Sequence, residues 1–180
     1  MLWQNLQHKL NEANVESFKF ANSRSIIYID SQQQLLSCVS AGDKAIQTYP
    51  VSTSKYGLGQ SQGSLKTPTG IHKIAQKIGD NEPLGRVFRS RIPTQEICLA
   101  RDHQGDDDVI TTRILRLEGL QPGLNRGGEV DSFERYIYIH GTSDEDNIGV
   151  PASIGCIRMK NKDMIMIFDQ TEINDLVIIE

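Results

Sequence analysis

A thiol and an imidazole, Cys156 and His140, stand sixteen residues apart near the C-terminal end of this chain. Together they suit acyl transfer. A thiol ionises near pH 8.5, as a rough reference value, and only its thiolate attacks a carbonyl well. A neighbouring imidazole takes the proton and later returns it to the leaving group, so His140 is the expected general base. Gly155, directly before the thiol, has no side chain and lets the backbone come close to a substrate. The N–H groups of Ile154, Gly155 and Cys156 are expected to converge on a carbonyl oxygen, where each oxyanion donor is worth on the order of 10²–10³ in rate. Arg158, two residues past the thiol, is expected to face the same side and hold a substrate carboxylate through its planar fork. Ser153, Thr142 and Tyr138 are expected to shape or line the substrate position. Each residue alone has a plainer reading: a lone Cys as a small buried hydrophobe, a lone His or Arg as a structural or surface group.

These residues need elements to position them. Tyr136 to Ile139 is a dense β run, and alternation puts His140 on the same face as Tyr138. The polar loop Ser143 to Asn147 is long enough to bring the chain back beside it. Upstream, Ser25 to Asp30 and Leu35 to Ser40 read as a hairpin, and Ile46 to Ser52 as a further strand. A Gly- and Ser-rich loop follows and ends in the turn Thr67-Pro68-Thr69-Gly70. Ile71 to Ile78 alternates as a strand, residues 79 to 95 read as loop, and Glu96 to Ala100 as a short strand. Gly105 to Asp108 is an acidic turn, Val109 to Leu117 a long strand, and Gly119 to Asp131 a long loop. Asn161 is a plausible helix N-cap, with Asp163 in the first turn and an apolar face of Met164, Ile165, Ile167 and Phe168. Asp175 to Ile179 closes the chain as a strand. Residues 1–15 read as an amphipathic helix on Leu2, Leu6 and Leu10. The expectation is one mainly-β domain over residues 1–180.

Composition narrows the function classes. The 180 residues carry a net charge of −4, with 38% hydrophobic and 23% charged residues, a globular balance. Scattered basic residues argue against nucleic acid; only Arg86, Arg89 and Arg91 lie close together, and they read as a solvated face. The longest apolar runs are far shorter than the roughly 20 residues of a membrane span. The N-terminus lacks the pattern of a signal peptide, so a cytoplasmic location is expected, or a periplasmic or cell-wall one if an export signal is missing from this chain. Three cysteines at wide spacing make a poor disulfide framework, and Cys38 and Cys98 read as core residues.

In combination, His140-Gly141-Thr142 and Ser153-Ile154-Gly155-Cys156-Ile157-Arg158-Met159 resemble the catalytic motif of the L,D-transpeptidase, or YkuD, domain family. Tyr49-Pro50-Val51-Ser52, Thr67-Pro68-Thr69-Gly70 and the stretch Thr112 to Gly127 fit as well. The resemblance covers residues 24–180. It implies a domain of mixed β-sheets with a helix after the Cys motif. It further implies acyl transfer on peptidoglycan stem tetrapeptides or muropeptides, through a thioester on Cys156. An amine acceptor gives a 3→3 cross-link; water gives L,D-carboxypeptidase activity. No metal and no organic cofactor are implied, and the carbonyl of Gly141 is placed behind His140 to orient its ring. One departure stands out: the family often has His where this chain has Ile154, which leaves only a backbone donor there.

Two rival classes come from the same residues. Asp144 to Gly149 nearly matches a calcium-loop pattern, but Ile148 occupies the third ligand position, so this cluster and Asp106 to Asp108 read as solvated loops. A non-catalytic peptidoglycan-binding relative is the other. The retained Cys156, His140 and Arg158 argue against it. A generic cysteine peptidase is disfavoured because no papain-type stretch is present.

Overall fold

Apolar residues on both faces of a strand call for cover on both sides, and the two longest apolar runs of this chain become such strands. A computed structural model describes residues 2–13, 25–40, 46–100 and 109–180. These residues form helix α1 (Leu2–Glu12) and strands β1 (Ser25–Asp30), β2 (Leu35–Ser40), β3 (Ile46–Ser52), β4 (Gly70–Ile78), β5 (Arg86–Arg89) and β6 (Ile92–Ile97). Strands β7 (Ile110–Gly119), β8 (Tyr138–Thr142) and β9 (Ile157–Lys160), helix α2 (Asn161–Gln170) and strand β10 (Leu176–Ile179) complete them. The acidic turn with Asp106, Asp107 and Asp108 lies outside the described residues.

The sheet is mixed and runs β4-β10-β1-β2-β3-β9-β8-β7-β5-β6, with β4 also paired to β7, so the pairing returns on itself. β1 lies parallel to β10, with Ile27 opposite Val177. Along both strands the side chains alternate between two cores. Ile27, Ile29, Val177 and Ile179 join the main core with Leu115, Ile139, Ile157 and Met159. Ile26, Leu176 and Ile178 face the other way, against Trp3, Leu6 and Leu10 of α1. The apolar stripe of α1 therefore begins at Trp3, with Leu2 only partly buried beside it. Each such buried side chain contributes roughly 1.5–3 kcal/mol.

Helix α2 closes the main core with Met164, Ile167 and Phe168, while Ile165 is only half-buried. At its C-terminal end the Lys77 ammonium donates to the carbonyls of Phe168 (2.6 Å) and Thr171, a cation placed where the helix dipole favours one. The N-cap position belongs to Lys160, not to Asn161 as the sequence suggests. The N–H of Asn161, the first helical residue, is met instead by the Glu145 carboxylate at 2.8 Å. A longer acidic side chain from the preceding loop thus takes the capping role and frees the Asn161 amide for other bonds.

Residues 79 to 95, expected as loop, contain β5 and the start of β6, joined as a hairpin through Ser90-Arg91. Both turn residues are left-handed, with φ of 50° and 70°. That suits the mirror-image turn of a two-residue hairpin, but without the usual Asn-Gly the sequence carries no hairpin signal. A bulky residue in this region costs about 1 kcal/mol. Cys98 follows β6 and is half-buried outside the hydrophobic cores, unlike Cys38, which is buried in the main core.

Candidate active site

The outer face of β7 and β8 carries a small third cluster: Phe88, Ile114 and Tyr138, with Ile78, Ile110 and Cys156 packed against it. Strand alternation explains the sorting. Ile139 points into the main core, so Tyr138 and His140 point out. β8 runs parallel to β9 with His140 opposite Arg158, and Cys156 lies two residues before Arg158. His140 and Cys156 are therefore diagonal neighbours on adjacent chain segments.

The His140 ring is tethered. Its Nδ1 lies 2.8 Å from the carbonyl oxygen of Gly141. A carbonyl only accepts, so Nδ1 carries the hydrogen, and Nε2 is the basic nitrogen of the neutral ring. Gly141 is needed for space: a Cβ there would lie 2.6 Å from Asn161 Oδ1 and 2.7 Å from the Thr111 carbonyl oxygen. Behind it, Asn161 Oδ1 accepts from the hydroxyls of Thr111 (2.6 Å) and Thr112, and Asn161 Nδ2 donates to the Thr142 carbonyl at 2.8 Å. Thr112 itself has φ of 69° at the bulge where β7 loses register with β8. A β-branched residue held there stores of order 1–3 kcal/mol of strain beside the site.

The thiol sits on a bend at residues 154–156, ahead of β9. Its Sγ lies 3.5 Å from the carbonyl oxygen of Tyr136, a residue that is itself left-handed, with φ of 56°. Gly155 has φ of 133°, a conformation that glycine adopts far more readily than other residues. Ser153 Oγ donates to the Cys156 carbonyl at 2.6 Å and accepts from Gly155 N–H at 3.3 Å. The Gly155 N–H thus turns back to Ser153. Thr67 Oγ1 donates to the Gly155 carbonyl at 2.9 Å, and Lys55 N–H to the Ser153 carbonyl at 3.0 Å, so the loop after β3 buttresses the bend.

The other predicted residues fall on two sides of a line. Tyr138 belongs to the cluster that Cys156 packs against, and Ile154 is half exposed at 49%. Ser153 and Thr142 are fully buried; Thr142 Oγ1 accepts from the Asp144 N–H at 3.1 Å. Arg158 has internal partners. At 2% exposure, its fork meets Asp144 (3.1 Å) and the Ser52 hydroxyl (3.4 Å), so the carboxylate it holds is the protein's own. Strand pairing places it directly opposite His140. Asp144 and Glu145, read as part of a near-miss calcium loop, are thus engaged by Arg158 and Asn161.

Two contributors escaped the sequence reading. Asn161 resembles an ordinary helix cap, and nothing local shows the contacts it makes behind Gly141. Arg135 donates to the carbonyls of Lys66 (2.6 Å) and Gly59 (3.3 Å), holding the loop beside the thiol. Burial pulls its pKa down, and the charge of a Cys156 thiolate pulls it back up, so the two groups lie within electrostatic reach. Among the described residues no three metal-ligating side chains gather, and no helix is long and apolar enough to cross a membrane.

A comparison with curated proteins finds no match. Among solved structures, the fold is similar to an L,D-transpeptidase from Mycobacterium smegmatis, at 16% identity and a TM-score of 0.53. That match covers 88% of this chain and 59% of the other. It is similar to L,D-transpeptidase 3 from Mycobacterium tuberculosis in complex with a faropenem-derived adduct, at 14% identity and a TM-score of 0.54, over 88% of this chain and 60% of that one. It is also similar to an L,D-transpeptidase from Xylanimonas cellulosilytica, at 17% identity and a TM-score of 0.53, over 98% and 69% of the two chains. This chain thus spans about three fifths of the length of the first two. Residues 24–179 match the L,D-transpeptidase catalytic domain, YkuD, and with most of its length inside that match the chain belongs to this family.

Proposed function

We propose that the protein is a cysteine-dependent L,D-transpeptidase acting on peptidoglycan stem tetrapeptides. One observation carries this reading above the others: a histidine with Nδ1–H tied to a backbone carbonyl shares a sheet face with the cysteine on the bend before β9. In the proposed first step the Cys156 proton passes to Nε2 of His140. The sulfur then attacks the carbonyl carbon of the third residue of the stem, a diamino acid. The peptide C–N bond breaks as His140 returns its proton to the departing D-amino acid, and a thioester remains on Sγ. The amine of a second stem attacks the thioester, gives its proton to His140, and the C–S bond breaks to release a 3→3 cross-link and the thiol. The oxyanion of each tetrahedral intermediate is held at the bend of residues 154–156.

The test is incubation with a tetrapeptide muropeptide, with and without a second stem, followed by mass spectrometry. An acyl adduct on Cys156 and cross-linked dimers are the expected products; hydrolysis alone would identify water as the acceptor and an L,D-carboxypeptidase. No adduct in the wild type, or an undiminished one in Cys156→Ala, overturns the nucleophile assignment. A faropenem-derived adduct occurs in one structural neighbour, and we expect faropenem to label Cys156 here.

A further inference from the structure

Charge pairing in this protein is uneven around the thiol. Arg86, Arg89, Arg126 and Arg158 each meet a carboxylate, from Glu82, Glu96, Glu118 and Asp144. Arg91, Arg116 and Arg135 gather about the segment Phe133 to Tyr138, and among the described residues none of them meets one. Arg116 is buried, stacks on the Phe133 ring at 3.4 Å and donates to its carbonyl at 2.8 Å. Arg135 is engaged by loop carbonyls. Arg91 is held by side chains rather than by backbone carbonyls and, like Arg135, is open to solvent. Its Nη1 donates to the Tyr138 hydroxyl at 3.0 Å, and its guanidinium lies 4.9 Å from the centre of the Tyr136 ring. It is only half-buried.

Both tyrosines belong to the surroundings of the nucleophile. Tyr138 shares its cluster, and the Tyr136 carbonyl lies 3.5 Å from Sγ. Arg91 thus contacts the side chains of two residues that border the surroundings of the thiol. It is brought there by a hairpin tip whose two residues are both left-handed, a conformation that Ser and Arg adopt reluctantly. Such an outlier, pinned at its far end by a hydrogen bond and a cation–π contact, points to a use for the side chain it aims. A guanidinium already oriented by one Nη keeps other N–H groups for a planar anion, and it loses less side-chain entropy on binding one.

We propose that Arg91, seated on Tyr136 and Tyr138, is a specificity-determining subsite for a carboxylate of the acyl-donor stem peptide. The proposal rests on the transpeptidase reading for the identity of the ligand. Two carboxylates of a donor lie near its scissile bond: that of the terminal D-amino acid, and the side-chain carboxylate of a dicarboxylic diamino acid at the third position. Either supplies the same chemistry, and the substrates of the test separate them.

Binding is measured by calorimetry on the Cys156→Ser protein, so that no reaction intervenes. The donors are a tetrapeptide with both carboxylates, one ending in an amide, and one with lysine at the third position. Adding Arg91→Gln is expected to weaken the parent tetrapeptide about tenfold or more, the scale of one charge-assisted hydrogen bond. Arg91→Lys is expected to restore part of that loss, which also shows that the hairpin still folds. One of the two modified donors is expected to bind equally well with Arg91 and with Gln, and it identifies the carboxylate. With an intact thiol, the loss appears in KM while kcat is kept. No tetrapeptide binding, no effect of Arg91→Gln, or an equal loss on all three donors overturns the proposal. Arg91-dependent binding without an adduct on Cys156 would sink the acyl-transfer reading and leave the subsite standing. An adduct with Arg91-independent KM does the reverse.

Discussion

Two buried histidines share one local geometry and have opposite surroundings. His140 and His72 are 1% and 0% exposed, and each has Nδ1 against a backbone carbonyl oxygen, Gly141 at 2.8 Å and Gly70 at 3.1 Å. The second nitrogen of His72 meets the Ser132 hydroxyl at 2.9 Å, inside the protein. His140 stands on the outer face that carries Cys156. Burial and a fixed tautomer thus describe a structural histidine as well as a proposed base. What separates them is where the second nitrogen lies: against an internal hydroxyl for His72, and on the outer face that also carries Cys156 for His140.

Exchanging the two rings' fortunes by mutation gives the largest expected contrast. His140→Ala is expected to lower the rate of Cys156 acylation by about 10²–10⁴, the usual worth of a positioned base. His72→Gln is expected to leave the acylation rate of the folded protein nearly unchanged. Intact-mass kinetics on both variants check this, and similar losses in the two would dissolve the distinction.

Acid is expected to expose His72 next. Burial, opposed by the Gly70 carbonyl and aided by the Arg135 charge, lowers its pKa from 6.5 to about 4. Above pH 6.5 the ring is neutral whether the chain is folded or unfolded, and its full contribution to stability is present. As pH falls from 6.5 towards 4 only the unfolded chain takes up the proton, so stability declines. At about 1.4 kcal/mol per pH unit the total approaches roughly 3 kcal/mol. Urea melts across this range should show the decline, and His72→Gln should flatten it. An unchanged slope would mean that another group governs the acid limb.

Asn161→Ala tests the support behind His140. It strands the Thr142 carbonyl and two threonine hydroxyls in the interior and is expected to cost about 2 kcal/mol of stability, with a loss of acylation rate that His72→Gln does not show. Thermal melts and labelling kinetics read the two effects separately. The smallest change is Ser132→Ala. It leaves Nε2 of His72 without its hydroxyl and is expected to cost about 1 kcal/mol, with acylation unaffected.

Much of this was legible in the chain. Alternation located β4 and β7, and runs of β-branched and apolar residues located β1, β2 and β10, because a strand buried on one or both faces writes its environment into its residue types. The motif residues from His140 to Arg158 stood out for their chemistry, and they carried the family. The hairpin of β5 and β6 was hidden, because Ser90-Arg91 is a poor match for a mirror-image turn and the strands are short and polar. The internal ion pair of Arg158 was hidden as well. Its partner Asp144 is reached only through the pairing of β8 with β9, and a fork suited to a substrate carboxylate suits an internal one equally.

The sequence by itself determined the strand pattern, the presence of Cys156 and His140 at a workable separation, and the glycines that let the backbone bend or close in beside them. Only the tertiary structure decided which arginines are already matched by carboxylates, which histidine shares a sheet face with the thiol, and that Asn161 holds the strand behind His140. The physical reason is range. Periodicity and turn chemistry act between residues a few positions apart, and a single chain displays them. Ion pairs, shared faces and buried hydrogen bonds join residues such as Arg91 and Tyr138, 47 apart in sequence, which only the packing of strands brings into contact.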